Sequence, residues 1–133
     1  MVDQRYVDGI PVNRFFGFRL VAAGPDGATF ELPARAEFAQ EASVIQGGVL
    51  TALADVTAAY AIWPHRPPDT TMLGIEFKMN FLRPAKIGGE PVQAHGRKVH
   101  AGRRTGVAQV EIVQAGRPVA LGTFTFFFFV PEV

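Results

Sequence analysis

One carboxylate stands out in the sequence because it interrupts an otherwise apolar helical segment. Residues 49–62 are rich in Ala and Leu, and Asp55 lies near the middle of the segment. An ionised carboxylate in apolar surroundings costs several kcal/mol unless it is paired or in contact with water. Three interpretations follow: Asp55 is a structural residue bonded to Thr51 one turn earlier, it faces a solvent channel without a function, or it is a base or nucleophile held at a cleft.

Two glycines at the start of the same helix form the second candidate feature. Gly47 and Gly48 follow Gln46 and precede the apolar segment. Glycines at such a position commonly mark the end of a loop. A helix N-terminus without side chains also presents free N–H donors and the positive end of the helix dipole. These groups would stabilise a substrate carbonyl oxygen on which negative charge develops.

The spacing of Gly47 and Asp55 restricts how they can act together. They are eight residues apart, which is about 12 Å along a helix. A reacting carbonyl needs both groups within roughly 3 Å. Two antiparallel copies of the helix would meet this requirement, with Gly47 from one subunit facing Asp55 of the other. A catalytic site built on these residues is therefore predicted at a two-fold interface.

The rest of the chain supplies a sheet to cover the helix, and it predicts a single α+β domain over residues 1–133. A Gly-Pro-Asp-Gly turn joins two short extended runs into a hairpin at residues 19–32. The first fifteen residues read as a short helix or arm, and residues 33–45 read as an irregular connection. Four longer β-prone runs follow the helix, at residues 71–82, 90–100, 105–113 and 118–130. The phenylalanine-rich end of the last run is too continuously apolar to have one face in water.

Composition excludes several kinds of function. The 133 residues include 13 Lys and Arg against 12 Asp and Glu, so bulk attraction to nucleic acid or a membrane surface is not expected. The absence of cysteine excludes disulfides and thiolate chemistry. His65, His95 and His100 lack metal-ligand spacing, so no metal is predicted. No signal peptide or membrane span is evident, and a cytoplasmic location is expected.

Three motifs resemble those of one enzyme family. Residues 46–55, QGGVLTALAD, resemble the HGG-x(6)-D signature of PaaI-like (phenylacetate-degradation type) hotdog thioesterases. Residues 80–85, NFLRPA, resemble the segment after that family's third strand, and Arg103-Arg104-Thr105 fits the start of a later strand. The resemblance covers nearly the whole chain. It implies a hotdog fold, an antiparallel β-sheet wrapped around a long central α-helix, in a homodimer that often pairs into a homotetramer. It also implies hydrolysis of a medium-chain or aromatic acyl-CoA, with CoA as part of the substrate and no separate cofactor.

The resemblance assigns roles to particular residues. Asp55 corresponds to the catalytic general base or nucleophile, and Gly47 to the glycine whose N–H polarises the thioester carbonyl. Gln40 corresponds to an Asn or Gln that positions substrate or water. Gln46 replaces the family histidine; it serves if that residue orients groups by hydrogen bonds, and activity falls if that residue transfers protons. A family Ser or Thr falls near Gly74, which has no hydroxyl.

Substrate binding is assigned to Gly48 and Thr51 on the helix and, for the CoA phosphates, to Arg83, Arg103 and Arg104. Arginine suits phosphate, although charges at strand ends also protect sheet edges from pairing. Three other functions stay open. They are an acyl-CoA-binding protein without turnover, a hotdog dehydratase or hydratase, and a purely structural oligomer.

Overall fold

The hairpin forms as predicted in the computed structural model, which describes residues 2–132. It consists of β1 (Arg19–Gly24) and β2 (Gly27–Leu32). The four later strands are β3 (Thr71–Phe81), β4 (Val92–Ala101), β5 (Thr105–Gln114) and β6 (Arg117–Phe129). Each predicted strand is confirmed, with ends that differ by no more than two residues.

The six strands form one antiparallel sheet in the order β1-β2-β4-β5-β6-β3. The strand that follows the central helix, β3, lies at one edge of this sheet, and β1 lies at the other edge. A β-bulge interrupts the β3–β6 pairing between Gly74 and Glu76. The edge position of β3 leaves its unpaired backbone side without a partner strand within residues 2–132.

Three α-helices accompany the sheet: α1 (Gln4–Asp8), α2 (Pro11–Phe16) and α3 (Gly47–Ile62). The central helix α3 begins two residues earlier than predicted, because Gly47 and Gly48 are already helical. A short 3-10 turn containing Pro64 follows it. The connection over residues 33–45 contains two single 3-10 turns, at Ala36–Phe38 and Glu41–Ser43.

The central helix packs off-centre on the sheet. Its contacts concentrate on β2, β4 and β5 and are sparse on β3 and β6. Gly96 on β4 allows the close approach, because a Cβ there would lie 3.0 Å from the Thr57 methyl group and 3.1 Å from the Thr57 carbonyl oxygen. A groove therefore remains between α3 and the inner face of β3. A six-stranded antiparallel sheet curved around one long helix is the hotdog architecture that the resemblance implies.

The phenylalanine run on β6 differs from its prediction. Phe124, Phe126 and Phe128 are buried against the helix side, whereas Phe127 is 40% exposed on the outer face. The run therefore alternates despite its uniform composition, because successive side chains of a strand point to opposite faces. The prediction that neither face meets water is wrong for the single chain.

Candidate active site

The groove between α3 and β3 opens into a cleft of about 730 Å³. One side of α3 lines it at intervals of three or four residues, and the segment of β3 around its bulge lines it from across the groove. The lining residues are Gly48, Thr51, Ala52 and Asp55 from α3, Gly74, Ile75, Glu76 and Phe77 from β3, and Phe124, Thr125 and Phe126 from β6. Three residues predicted from the sequence, Gly48, Thr51 and Asp55, thus share one cleft.

Asp55 presents its carboxylate to this cleft. Within residues 2–132 no donor hydrogen-bonds the carboxylate, and the Thr51 hydroxyl donates instead to the Gly47 carbonyl oxygen at 2.9 Å. The structural pairing with Thr51 is therefore not what forms. Partial burial raises the pKa of Asp55 above its ordinary value, because removing water disfavours the charged form. The Asp55 side chain remains exposed to the cleft in the single chain, and the raised pKa makes its carboxylate a stronger base than an ordinary aspartate.

Gly74 leaves space beside the carboxylate. A Cβ on Gly74 would lie 4.0 Å from Asp55 Oδ1. The strand position near which the resemblance predicts a Ser or Thr thus faces the candidate catalytic group across the groove. The sequence replaces that hydroxyl by open volume, which a water molecule or a substrate atom can occupy.

The N-terminus of α3 presents two unused donors. The backbone N–H groups of Gly47 and Gly48 donate to no acceptor within residues 2–132. The Gln46 side chain caps the helix, since its Oε1 accepts from the Val49 N–H at 3.0 Å. A Cβ on Gly48 would lie 2.7 Å from that same oxygen, so Gly48 makes room for the cap. Gln46 thus has a structural role, while its amide NH₂ remains available for a further hydrogen bond.

The helix that carries these groups is continuous from Gly47 to Ile62. Gly47 and Asp55 are therefore separated by about 12 Å along one straight element. Within one chain the two groups do not reach the same atom.

Gln40 lies apart from the cleft in this chain. It is exposed and precedes the second 3-10 turn, and its backbone N–H donates to the Val44 carbonyl oxygen at 2.9 Å. The turn contains two non-glycine residues in the left-handed region, Ala42 with φ 67° and Ser43 with φ 57°. The contribution of Gln40 to catalysis stays a prediction.

The predicted phosphate-binding arginines do not converge. The Arg83 N–H donates to the Val119 carbonyl oxygen near the start of β6, and the Arg104 carbonyl oxygen accepts from the Phe128 N–H near its end. Nine residues of extended strand separate these points, which is roughly 30 Å. Arg103 and Arg104 share one turn, whereas Arg83 stands at the opposite end of the sheet.

Sequence reasoning missed two cations near Arg83. Lys86 and Arg117 line a groove of about 350 Å³ together with Arg83. They come from different segments, and only the β5–β6 turn brings Arg117 next to the segment that follows β3. Their proximity depends on sheet topology, which no local spacing encodes.

Sequence reasoning also missed how Phe81 connects two motifs. A Cβ on Gly47 would lie 3.2 Å from the Phe81 ring, so the NFLRPA segment borders the start of α3. The Ala85 carbonyl oxygen accepts from the Ile45 N–H at 2.8 Å just before the helix. Two of the three sequence motifs are thus neighbours in space.

The histidines have ordinary partners. A ring nitrogen of His65 lies 2.9 Å from the Pro25 carbonyl oxygen, and one of His95 lies 3.1 Å from the Thr29 hydroxyl. Among residues 2–132 no three metal-binding side chains cluster. In the same part of the chain no helix is long and apolar enough to cross a membrane.

Comparison with known proteins agrees with this architecture. The family model described as "Thioesterase superfamily" matches residues 42–121, while no curated protein matches the chain. A variant of the phenylacetic acid degradation protein PaaI from Thermus thermophilus is 30% identical, with a TM-score of 0.81 over 89% of this chain and 98% of its own. The conserved protein PA5202 from Pseudomonas aeruginosa is 31% identical, with a TM-score of 0.83 over 90% and 94%. The AziG protein from S. sahachiroi is 26% identical, with a TM-score of 0.85 over 92% and 98%. The chain belongs to the thioesterase superfamily, as a PaaI-like member with the hotdog fold.

Proposed function

We propose that this protein hydrolyses acyl-CoA thioesters, with the chemical step at the Asp55 cleft. The observation that carries the proposal is the Asp55 carboxylate, which opens into a substrate-sized cleft, accepts no hydrogen bond within residues 2–132 and has a raised pKa. A carboxylate with a raised pKa accepts a proton more readily than an ordinary aspartate, which suits a general base. Membership of the thioesterase superfamily makes a thioester the natural electrophile.

The reaction balances with the residues of this protein and a water molecule. In one route Asp55 takes a proton from a water molecule while the water oxygen attacks the thioester carbonyl. In the other route the Asp55 carboxylate attacks the carbonyl, and water then cleaves the mixed anhydride. In both routes the carbonyl oxygen becomes negative, and the Gly47 N–H stabilises it. The C–S bond breaks, CoA leaves as a thiolate that takes up the proton, and the free acid remains. No metal or prosthetic group is required.

A homodimer completes the site in this proposal, and the exposed β3 edge supports it. Ile75, Phe77 and Phe81 are 58%, 56% and 53% exposed in the single chain. A long apolar edge strand is normally covered, because its free N–H and C=O groups otherwise pair with other chains. A second copy placed antiparallel along β3 covers this surface and sets Gly47 of one subunit against the cleft of the other.

The same pairing would bring the arginines of the two subunits close together. An antiparallel two-fold along β3 places the Arg83 end of one subunit beside the Arg103–Arg104 end of its partner. Together with Lys86 and Arg117, these cations would surround the CoA phosphates. On the outer face, paired Leu73 and Phe127 stay exposed, which suits a further contact between two dimers in a tetramer. A cytoplasmic location remains part of the proposal.

The decisive experiment measures thiol release from a panel of acyl-CoAs, including phenylacetyl, benzoyl, hydroxybenzoyl, short-chain and medium-chain thioesters. Three proteins are compared: wild type, Asp55→Asn and Asp26→Asn. Asp26 is exposed in the β1–β2 turn, so its variant makes the same chemical change away from the cleft. Turnover should persist in wild type and Asp26→Asn and fall at least a hundredfold in Asp55→Asn, within the range typical of a lost catalytic base.

The second candidate function is an acyl-CoA-binding protein without turnover. Gln46 favours it, because its amide oxygen is engaged in the helix cap and a glutamine transfers no protons. Binding of acyl-CoA by wild type with no thiol release from any substrate would select this function and refute the hydrolase.

A further inference from the structure

A second cavity lies farther along the groove, beyond the Asp55 cleft. It has a volume of about 180 Å³. The C-terminal part of α3 contributes Ala59, Tyr60 and Trp63, and β3 contributes Met72. The N-terminal segment closes the cavity with Val2, Tyr6 and Ile10. The lining is almost entirely apolar, and none of these residues takes part in the chemistry described above.

The cavity and the cleft lie along the same side of α3. Asp55, Ala59 and Trp63 recur every four residues along α3, and residues at that spacing lie on one side of a helix. Gly74 lines the cleft and Met72 lines the cavity, two residues apart on the same face of β3. The cavity therefore starts about 6 Å beyond Asp55 and ends about 12 Å beyond it along the helix.

We propose that this cavity binds the distal end of the acyl chain and makes acyl groups of about eight to twelve carbons the preferred substrates, an inference that rests on the proposed thioesterase function. An extended chain advances roughly 1.2 Å per bond, taking the reach of an extended backbone as the guide. Reaching the cavity from the carbonyl takes about five bonds, and reaching its end takes about ten. Acetyl and phenylacetyl groups are too short to enter it.

The volume agrees with this length. A buried apolar cavity of about 150 Å³ holds one benzene molecule. A cavity of about 180 Å³ therefore accommodates roughly the last six carbons of a chain. A charged chain end is excluded, because the lining offers a carboxylate no compensating charge.

The far wall of the cavity is held in place. The Arg66 guanidinium lies 3.5 Å above the Trp63 ring. Arg66 Nε also donates to the Thr70 carbonyl oxygen at 2.8 Å, and Arg66 Nη1 donates to that of Trp63 at 2.9 Å. These contacts hold the indole in place at this end of the cavity.

Trp63 provides a direct readout because it is the single tryptophan of the chain. The Asp55→Asn protein, which does not consume its ligand, is titrated with CoA, acetyl-CoA and decanoyl-CoA while tryptophan emission is recorded. Decanoyl-CoA should change the emission saturably, and CoA and acetyl-CoA should leave it unchanged. Equal responses to all three, or no response to decanoyl-CoA at concentrations where it displaces a labelled CoA ester, would overturn the proposal.

Substitutions then test the chain-length limit. Ala59→Leu fills the cavity and should raise KM for decanoyl-CoA about tenfold, since it displaces about two methylenes, while turnover of butyryl-CoA is unchanged. Ala22→Leu makes the same change at an exposed position on β1 and should alter neither. Tyr6 is 54% exposed, so Tyr6→Ala should fold and shift the preferred length upward. An unchanged length profile in both cavity variants would contradict the assignment.

The two proposals fail in different ways. A tail-dependent Trp63 response without turnover of any acyl-CoA supports the cavity and refutes the hydrolase. Turnover that does not depend on chain length, with no change in Trp63 emission, supports the hydrolase and refutes the role of the cavity.

Discussion

The N–H of Gly47 can be removed without removing the helix that carries it. Gly47 is the first residue of α3, and Gln46 before it has φ −63° and ψ 137°. Proline is favoured at the first helical position, and it requires an extended residue before it, as Gln46 is. The Gly47 N–H has no acceptor within residues 2–132. Gly47→Pro therefore deletes the proposed oxyanion donor and breaks no hydrogen bond of the fold.

The expected loss follows from the role of one donor. Removing a single oxyanion-hole donor typically lowers kcat by about 10²–10³, or roughly 3–4 kcal/mol of transition-state stabilisation. Stability should change little, because the new Cβ meets only the Phe81 ring at 3.2–3.6 Å. Phe81 is 53% exposed and can shift by a few tenths of an ångström.

Gly47→Ala is the matched control. It adds the same Cβ against Phe81 and keeps the N–H. Steady-state thiol release on one acyl-CoA, together with thermal unfolding, should show Gly47→Ala within about tenfold of wild type and Gly47→Pro at least a hundredfold lower in kcat. Equal activities of the two variants, both folded, would refute the assignment of the Gly47 N–H as the oxyanion donor.

Three further predictions concern the same helix. Co-expression of Asp55→Asn and Gly47→Pro chains should restore about a quarter of wild-type activity. Half of randomly paired dimers are mixed, and each mixed dimer has one intact site of two. Activity no higher than that of either variant alone would exclude a shared site. Because the pKa of Asp55 is raised, the protonated native state is favoured and wild type loses stability as pH rises above 3.8 through that raised pKa. Asp55→Asn should therefore be the more stable protein at neutral pH, and the difference in unfolding free energy between the two proteins should vanish below pH 3.8. The kcat/KM of wild type should fall as pH drops through the same raised pKa. Gln46→Ala should lose about 1 kcal/mol of unfolding free energy with its cap, whereas Gln46→Glu keeps the acceptor for the Val49 N–H; chemical denaturation of both variants measures the contrast.

The sequence predicts the fold well because its signals are local. Turn residues mark the hairpin, Pro64 marks the end of the central helix, and glycines separate the later strands, so the central helix and the strands form within about two residues of their predicted bounds. The exception is β6, where uniform composition hides an alternation that only the position of the strand between β5 and β3 imposes.

The candidate site is predictable only where one element carries it. Asp55, Thr51 and Gly48 share a helix, and their spacing places them in one cleft. Arg83 and Arg104 come from separate segments, and the sheet holds them at opposite ends. Residues from the end of α3, the start of β3 and the N-terminal segment together form the apolar cavity, so no single sequence motif predicts it.

In the proposed dimer, the offset of α3 on the sheet would divide one substrate between two subunits. The acyl cavity lies along the same side of α3 as Asp55. Arg83, which lines the cationic groove, is two residues along the chain from Phe81, whose ring lies beside Gly47. If Asp55 and Gly47 of a working site come from different chains, the acyl tail lies in the chain that supplies Asp55.

The mixed dimer tests this division. Its single intact site takes Asp55 from the Gly47→Pro chain. Adding Ala59→Leu to that chain should abolish the preference for decanoyl-CoA, and adding it to the Asp55→Asn chain should leave the preference unchanged. The helix spacing allows the cavity of each chain to serve only the site that uses the Asp55 of that chain. Equal effects from both placements would therefore show that the acyl tail does not bind in the chain that supplies Asp55.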